Sequence, residues 1–429
     1  MNTFSRIQGS KKLMEPKRRD TKNELTSSDS ISPVGIDVLA NKSMADEHIN
    51  FLHTAGLNQG VETEAWSVRG TNSQINYSTH GIYRYFGKFP APIATKLIQE
   101  YTSPGDVVVD PACGSGTTGV EALLANRNAL LFDINPLATL IAKVKTTPLP
   151  EKDLLKSISG VEERFQRSRR AETSFPEIDI DHWFLPQTVR QLSRIRASIE
   201  REENDQLRDC LMLSFASIIR RVSKATTQQG RLFLDVETAV EDVWPFFERA
   251  ALRAADRINC LPRGGNVQVE CRSVLDNSDQ FQSSAPLVIY HPPYFNAYKY
   301  SSVNSLEMAW LEQSRKETRK GEIREFFKVG KPENADVYIE DVVLSLEVIR
   351  KYLRKGGVVA MMIGDARLKG EHVCVTAPII SKVSRTLEVK KIALRVPKYT
   401  EATWASSQRR KSGDLGVTMY DFVVLFEAI

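Results

Sequence analysis

Residues 109–119 (VDPACGSGTTG) combine one carboxylate with three glycines, where a short apolar stretch gives way to a helical pattern. Glycines at such a point let the backbone approach a ligand closely, and the start of a helix offers free N–H groups. The spacing also satisfies the G-x-G-x-x-G pattern of dinucleotide-binding turns, whereas no lysine follows in the position that a phosphate-binding P-loop requires. The segment therefore predicts a ligand with a nucleoside part and disfavours a nucleoside triphosphate.

Two acids accompany this turn. Asp110 ends the first predicted strand, where a carboxylate favours a cationic amino-acid group and would repel a pyrophosphate. Asp133 ends the next predicted strand, 19 residues after Gly114, where an acid accepts hydrogen bonds from ribose hydroxyls. S-adenosylmethionine carries an ammonium, a sulfonium and a ribose, and so fits both acids. The alternative for Asp110 is a structural role as the cap of the turn.

A second pattern, 291–294 (HPPY), follows the apolar run Leu287–Tyr290. Two prolines end a strand and hold the backbone rigid, which leaves carbonyl groups without a ladder partner. A polar side chain and a proline carbonyl can together accept the protons of a planar amine, while the tyrosine stacks on its ring. Such bonds would turn the nitrogen lone pair towards an incoming methyl group.

Together these segments resemble the N4/N6 amino-methyltransferases that act on DNA. Residues 110–118 (DPACGSGTT) look like the cofactor motif D-P-x-x-G-S-G-T-T, and 85–90 (YFGKFP) resembles the upstream segment that covers the cofactor's methionine. Residues 132–136 (FDINP) resemble the ribose-binding strand end, and 291–294 occupies the place of the catalytic D/N/S-P-P-Y/F/W. The resemblance covers about residues 80–150 and 265–429.

This resemblance implies a fold, a cofactor and a set of site residues. The fold would be α/β, with a Rossmann-like seven-stranded methyltransferase sheet, mostly parallel with a C-terminal antiparallel hairpin. The cofactor would be S-adenosyl-L-methionine, with no metal. The implied catalytic residues are His291, Pro292, Pro293 and Tyr294, and the implied cofactor-binding residues are Lys88, Phe89, Asp110, Pro111, Ala112, Gly114, Gly116, Thr117, Thr118 and Asp133.

His291 departs from the family pattern, which has Asp, Asn or Ser at that position. A neutral imidazole accepts an amino proton and a protonated one does not; alternatively, His291 is a structural histidine and Pro292 alone accepts. The missing acid tilts the expected target slightly to cytosine N4 over adenine N6. Methylation at cytosine C5 is excluded because it needs a nucleophilic cysteine, usually after a proline, and the chain contains no Pro-Cys dipeptide.

The elements that must position these residues divide the chain into three parts. Residues 1–75 are predicted to be a flexible basic and polar arm. Residues 76–150 and 265–429 show the strand–helix alternation of a parallel sheet and form the predicted methyltransferase domain. Residues 151–264 carry long amphipathic patterns with few strands, and we expect a helical insertion that recognises the target.

A DNA partner requires basic residues near the base pocket, because phosphate contacts provide much of the affinity. A base must also leave the duplex to reach Tyr294. The predicted nucleic-acid-binding residues are Arg220, Arg221, Lys224 and Arg231 in the insertion, with Arg409 and Arg410 before the last strand.

Composition permits this interpretation without requiring it. The 429 residues carry a net charge of +5 from 58 basic and 53 acidic side chains. No apolar run approaches the ~20 residues of a membrane-spanning helix, and the N-terminus lacks the apolar core of a signal peptide, so we expect a cytoplasmic location. The five cysteines contain no C-x-x-C pair and predict neither disulfides nor a zinc site. The oligomeric state stays open.

The leading hypothesis is thus a DNA methyltransferase that modifies an exocyclic amino group, as the protective half of a restriction–modification pair. An RNA or protein amide methyltransferase shares the same proline–tyrosine chemistry. A catalytically silent methyltransferase-fold protein that binds DNA is a further alternative. A dehydrogenase would use the glycine turn for NAD but would leave residues 291–294 unexplained.

Overall fold

A computed structural model provides the structure of the chain. It describes residues 33–38, 61–169, 173–228, 231–238, 240–276, 284–295, 300–323, 334–368, 371–396 and 421–429. Arg409 and Arg410 lie outside these ranges.

The described residues form one large sheet and two small hairpins. Strands β5 (Ala225–Gln228) and β6 (Arg231–Leu234) form one hairpin, and β10 (Ala366–Leu368) and β11 (Glu371–Val373) form the other. The strands of the large sheet are β1 (Gly35–Val38), β2 (Glu62–Arg69), β3 (Val107–Asp110), β4 (Asn128–Asp133), β7 (Val267–Cys271), β8 (Ala285–Tyr290), β9 (Leu353–Gly364), β12 (Leu387–Val396) and β13 (Asp421–Ala428).

The spatial order of the sheet is β1-β2-β12-β13-β9-β8-β3-β4-β7. Strands β7, β4, β3, β8 and β9 pair in parallel, and β13 lies antiparallel between β9 and β12. The run from β7 to β12 is therefore a seven-stranded, mostly parallel sheet with a C-terminal antiparallel hairpin. This confirms the predicted fold class.

The sheet extends two strands beyond that prediction. Strand β2 pairs in parallel with β12, and β1 pairs antiparallel with β2. Residues 62–69 thus belong to the sheet although they fall in the predicted arm. The physical reason is burial, since Trp66 is 1% exposed and packs with Ile93 and Leu97 in one of the main cores.

Helices cover both faces of the sheet. Alternate residues of the central strands enter two different cores: Val109 and Val288 pack on one face, while Val108 and Ile289 pack on the other. This period of two is what a fully covered sheet requires. The helices are α1 (Ala91–Tyr101), α2 (Thr117–Leu124), α3 (Pro136–Thr146), α4 (Glu151–Arg167), α5 (Ile180–Trp183), α6 (Pro186–Ile199), α7 (Asp205–Ile219), α8 (Trp244–Asn259), α9 (Tyr300–Val303), α10 (Ser305–Trp310), α11 (Arg315–Gly321), α12 (Asn334–Ile349) and α13 (Thr376–Val383).

Residues 151–264 form α4 to α8 and the β5–β6 hairpin, as a mainly helical unit. Its own core includes Leu192, Ile195 and Phe215, and that core also takes in Trp310 from α10. Three aromatic rings meet Trp310 edge-on, at 4.6–5.9 Å between ring centroids. The helical unit therefore packs directly on the segment that follows β8.

No helix within the described ranges is both long and apolar enough to cross a membrane.

Candidate active site

The turn after β3 has the tight geometry that its glycines allow. Gly114 has φ +48° and Gly116 has φ +72°, in the left-handed region that L side chains avoid. A Cβ added at Gly116 would lie 2.8 Å from Cα and Cβ of Ala142 in α3. Only glycine therefore lets α2 start against α3, with Thr117 as its first residue.

Asp110 lies beneath this turn. It is 1% exposed and accepts hydrogen bonds from the Ala112 backbone N–H at 3.2 Å and from the Thr118 hydroxyl at 2.5 Å. Burial raises the pKa of its carboxyl to about 7. These partners lie in the turn and at the start of α2, so the contact between Asp110 and a cationic ligand stays a prediction.

Asp133 faces the cavity above the sheet. Its carboxylate accepts from the backbone N–H of Gly114 at 2.9 Å and of Asn135 at 2.8 Å, while burial raises its pKa. A carboxylate offers about four lone-pair sites. Asp133 can therefore accept further hydrogen bonds from ligand hydroxyls while it ties the glycine turn to β4.

Lys88 and Phe89 come from the segment before α1. The Lys88 ammonium donates to the Asn76 side chain and to the His80 carbonyl, the latter at 3.2 Å. Burial lowers the pKa of Lys88 to about 8. Phe89 is buried and meets the ring of His291 edge-on, at 5.5 Å between centroids, so this segment reaches the HPPY motif.

Three side chains from outside the HPPY motif hold it in place. The Tyr338 hydroxyl of α12 donates to the Pro293 carbonyl at 2.9 Å, and the Tyr294 hydroxyl donates to Asp421 at 2.6 Å. Phe89 packs against His291. The carbonyl of Pro292 has no hydrogen-bond donor among the described residues, and it is therefore the proline carbonyl available to a ligand N–H.

His291 is the polar side chain of this motif. Its ring meets Tyr294 edge-on at 5.0 Å between centroids. Burial, with a smaller contribution from the positive charge of Arg395, lowers the pKa of His291 to about 3. The imidazole is therefore neutral near pH 7 and keeps one nitrogen that can accept a proton.

One cavity joins the cofactor turn to the HPPY motif. It contains about 850 Å³ of empty space up to its open mouth, within the ~300–1,000 Å³ of small-molecule sites. Eight of the predicted site residues line it: Lys88, Phe89, Ala112, Gly114, Thr117, Asp133, His291 and Pro293.

The other six predicted residues do not line the cavity. Pro292 and Tyr294 continue the motif next to it, and Asp110 and Thr118 bond to each other under the turn. Pro111 and Gly116 shape the turn between them. The structure shows where these six residues lie, and their contacts with ligands stay predictions.

Sequence reasoning did not single out several lining residues. Tyr85 belongs to the 85–90 segment that was expected to cover the cofactor, and it stands over Gly114, where an added Cβ would be 3.2 Å from its ring. Ser273 and Val274 line the cavity just past the end of β7. Their position after a parallel strand was a usable signal, because ligands bind at the carboxyl ends of such strands.

Lys145 was also missed. It is 0% exposed, and its ammonium donates to the Ser115 carbonyl at 2.6 Å, under the glycine turn. Burial lowers its pKa well below the usual value. Its spacing from Ala138 and Ile141 on the buried face of α3 was the signal that it points inwards.

The predicted nucleic-acid-binding residues have different environments. Arg220 forms an ion pair with Glu307 at 2.7 Å and donates to the Val303 carbonyl, and Lys224 donates to the Asp181 carbonyl at 2.6 Å. Arg221 is exposed and lies over the ring of Phe246, 5.4 Å from its centroid. The backbone of Arg231 belongs to β6, while its side chain lies outside the described part, as do Arg409 and Arg410.

The sheet order and the cavity at its carboxyl edge define the class as a Rossmann-like methyltransferase fold. Residues 15–143 match the family model for N6/N4 methylases, described as DNA methylase. The chain is 24% identical over 270 residues to the Type II methyltransferase M.MvaI of Kocuria varians, covering 56% of this chain and 59% of the relative. It is 26% identical over 296 residues to M.BsoBI of Geobacillus stearothermophilus, covering 60% and 58%.

The chain is thus similar to N6/N4 DNA methylases over residues 15–143 and to two Type II methyltransferases over more than half of its length. The chain spans less than three fifths of the length of these two Type II methyltransferases.

Solved structures show weaker likeness. The rRNA methyltransferase AviRa from Streptomyces viridochromogenes shares 13% identity with a TM-score of 0.27, over 66% of this chain and 78% of that one. TrmN from Thermus thermophilus shares 10% identity with a TM-score of 0.31, over 80% and 50%. Similarity at this level says nothing about substrate.

Proposed function

We propose that the protein transfers a methyl group from S-adenosyl-L-methionine to the exocyclic amino group of a DNA base turned out of the duplex. The observation that carries this proposal is a cavity lined by Gly114 and Asp133 at one end and by His291 and Pro293 at the other. A cofactor and a target amine bound there would lie side by side.

The lining residues fit the cofactor. Asp133 has carboxylate lone pairs for the ribose hydroxyls, and Ile134 and Val274 offer an apolar wall for the adenine. Gly114 leaves open the space that a side chain would fill. Lys88 and Phe89 would cover the methionine portion. When bound, S-adenosylmethionine supplies an electrophilic methyl group.

The HPPY motif supplies the acceptor chemistry for the amine. The neutral His291 ring nitrogen and the Pro292 carbonyl can each accept one amino proton, which directs the nitrogen lone pair at the methyl group. That lone pair would form the new C–N bond as the methyl–sulfur bond of the cofactor breaks and its electron pair stays on sulfur, and one amino proton would then leave. Because the pKa of His291 is lowered to about 3, the ring would only accept a hydrogen bond from that proton, which would pass to water.

The substrate of this proposal is double-stranded DNA, with cytosine N4 slightly favoured over adenine N6. The preference rests on the absence of an acid at position 291. Turning the base out costs a few kcal/mol, and stacking on Tyr294 returns ~1–3 kcal/mol. The similarity to Type II methyltransferases supports a role in restriction–modification.

The test is transfer of a labelled methyl group to duplex DNA, with RNA and peptide substrates as controls, followed by nuclease digestion and identification of the methylated base. Transfer to RNA or peptide alone, or no transfer to any substrate, would overturn the proposal. N6-methyladenine as the product would overturn the preference for cytosine, while the proposed methylation of an exocyclic amino group would stand.

Two substitutions separate the two ends of the cavity. Tyr294→Ala should reduce transfer ~5- to 150-fold, which corresponds to ~1–3 kcal/mol of lost stacking, while cofactor binding measured by calorimetry stays unchanged. Asp110→Ala should lose cofactor binding, because the turn loses its hydrogen bonds to Ala112 and Thr118. Full activity in Tyr294→Ala would show that the base pocket lies elsewhere.

A further inference from the structure

The hydroxyl of Tyr294 is held by a charged pair on the last hairpin of the sheet. It donates to Oδ1 of Asp421 at 2.6 Å, and Oδ2 of Asp421 accepts from Nη2 of Arg395, also at 2.6 Å. The side chains of Arg395 and Asp421 are only 17% and 12% exposed. A hydrogen bond to a charged, poorly hydrated carboxylate is among the stronger ones in proteins.

The topology makes this contact a long-range one. Asp421 is the first residue of β13 and Arg395 the last but one of β12, and the adjacent residues Leu394 and Phe422 pair across the two strands. Strand β9 separates β13 from β8, which precedes the HPPY motif. Tyr294 therefore reaches across the carboxyl end of β9 to an anchor 127 residues away.

The anchored ring in turn contacts the polar residue of the motif. Tyr294 meets His291 edge-on at 5.0 Å, and His291 lines the cavity. A shift of the tyrosine ring would therefore also displace the imidazole. Tyr338 already fixes the backbone of the motif through the Pro293 carbonyl at 2.9 Å. The Asp421 contact fixes the Tyr294 side chain, which that backbone contact does not hold.

We propose that Asp421, held by Arg395, is a positioning residue that fixes the Tyr294 ring before the target base arrives. This inference rests on the proposed function, since it assigns Tyr294 to the base pocket. A tyrosine already fixed in place loses no rotational freedom when a base stacks on it, and such preorganisation favours the reaction without any added contact to the substrate.

Three variants separate positioning from general stability. Tyr294→Phe keeps the ring and removes the donor. Asp421→Leu has similar bulk and removes the acceptor, while Asp421→Asn retains an oxygen that can accept from the hydroxyl. Tyr290→Phe is the matched control, because it removes another tyrosine hydroxyl, bonded to Ser345 at 2.6 Å in the buried strand β8.

We expect Tyr294→Phe and Asp421→Leu each to lower the single-turnover rate by about 10-fold, with the cofactor Kd unchanged. The double variant should be no slower than Asp421→Leu alone, because both changes break one contact. Asp421→Asn should remain within about 3-fold of the native rate, because an amide oxygen still accepts the hydrogen bond, although more weakly than a carboxylate. Tyr290→Phe should keep the native rate.

Fluorine NMR of the chain with 3-fluorotyrosine at position 294 measures the anchor without any substrate. One narrow signal is expected in the native protein, with broadening in Asp421→Leu. A mobile ring in the native protein, or additive effects of the two substitutions on the rate, would overturn the inference. A narrow signal in a protein that methylates no DNA would instead overturn the proposed function and leave the positioning intact. If Asp421→Leu does not fold, the inference is tested by Tyr294→Phe alone, which should be slowed while Asp421→Asn and Tyr290→Phe are not, and equal rates in these three variants would overturn it.

Discussion

At the scale of single residues, the proposed reaction requires the His291 imidazole to be uncharged. His291 stands where the family has Asp, Asn or Ser, and each of those side chains has an oxygen that accepts a proton. Burial between Phe89 and Tyr294 disfavours the charged ring and so preserves an acceptor nitrogen. In the proposed reaction, the buried imidazole nitrogen would therefore take the place of that oxygen.

The pH dependence of transfer tests this explanation. With the pKa of His291 lowered to about 3, the ring stays neutral as the pH falls from 8 to 5, and protonation would remove the acceptor only below that range. The single-turnover rate at saturating cofactor should therefore show no fall near pH 6.5 that is caused by His291. A fall that is present in the native protein and absent in His291→Asn is the limb to look for. Such a limb would mean that the ring titrates normally.

The same position gives a paired substitution. His291→Asn keeps an oxygen acceptor and should retain transfer within about 10-fold, whereas His291→Leu keeps bulk without an acceptor and should lose ~10²-fold or more. Equal rates in the two variants would show that Pro292 alone accepts the amino protons and that His291 is structural.

At the scale of elements, the sequence predicted those helices and strands that have a local sequence signal. The β3–turn–α2–β4 unit was recognised from its glycines and apolar runs, which lie close together in the sequence. The strand before HPPY was recognised because an apolar run is followed directly by two prolines. Strand β2 was missed because its place depends on pairing with β12, more than 300 residues away, and no local signal encodes that register. Helix α10 was missed because the burial of its Trp310 depends on rings from the helical unit.

The glycine turn allows a prediction with a close internal control. Gly116→Ala and Gly356→Ala place a Cβ at nearly equal φ, +72° and +69°, but only the first meets another residue, Ala142 at 2.8 Å. Both variants should lose ~1–2 kcal/mol from the left-handed strain. Gly116→Ala should lose ~1–3 kcal/mol more from the clash, together with cofactor affinity. Urea unfolding and calorimetry measure these losses, and equal stability of the two variants would contradict the close approach of α2 and α3.

At the scale of the whole molecule, the helical unit of residues 151–264 is tied to the segment that follows the HPPY motif. Arg220 pairs with Glu307 of α10, and Arg196 pairs with Glu312 at 2.8 Å. The Ser314 hydroxyl at the start of α11 donates to Glu177 at 2.6 Å. The last residue of α11, Gly321, lines the cavity. These ties bring the unit to the edge of the cavity, which supports its proposed role in recognising the target.

Two neighbouring arginines then separate structure from DNA contact. Arg220→Ala should cost ~3–5 kcal/mol in the free energy of unfolding, because it leaves the buried Glu307 without its ion-pair partner.

Arg221→Ala, at an exposed site, should leave stability unchanged and weaken DNA binding uniformly across sequences, lowering the slope of log K against log salt by about 1. Arg354→Ala is the control, since this exposed arginine lies near the amino end of β9, away from the cavity. A salt slope equal in Arg221→Ala and Arg354→Ala would remove Arg221 from the DNA-binding surface, and an unchanged stability in Arg220→Ala would show that the helical unit does not depend on the Glu307 pair.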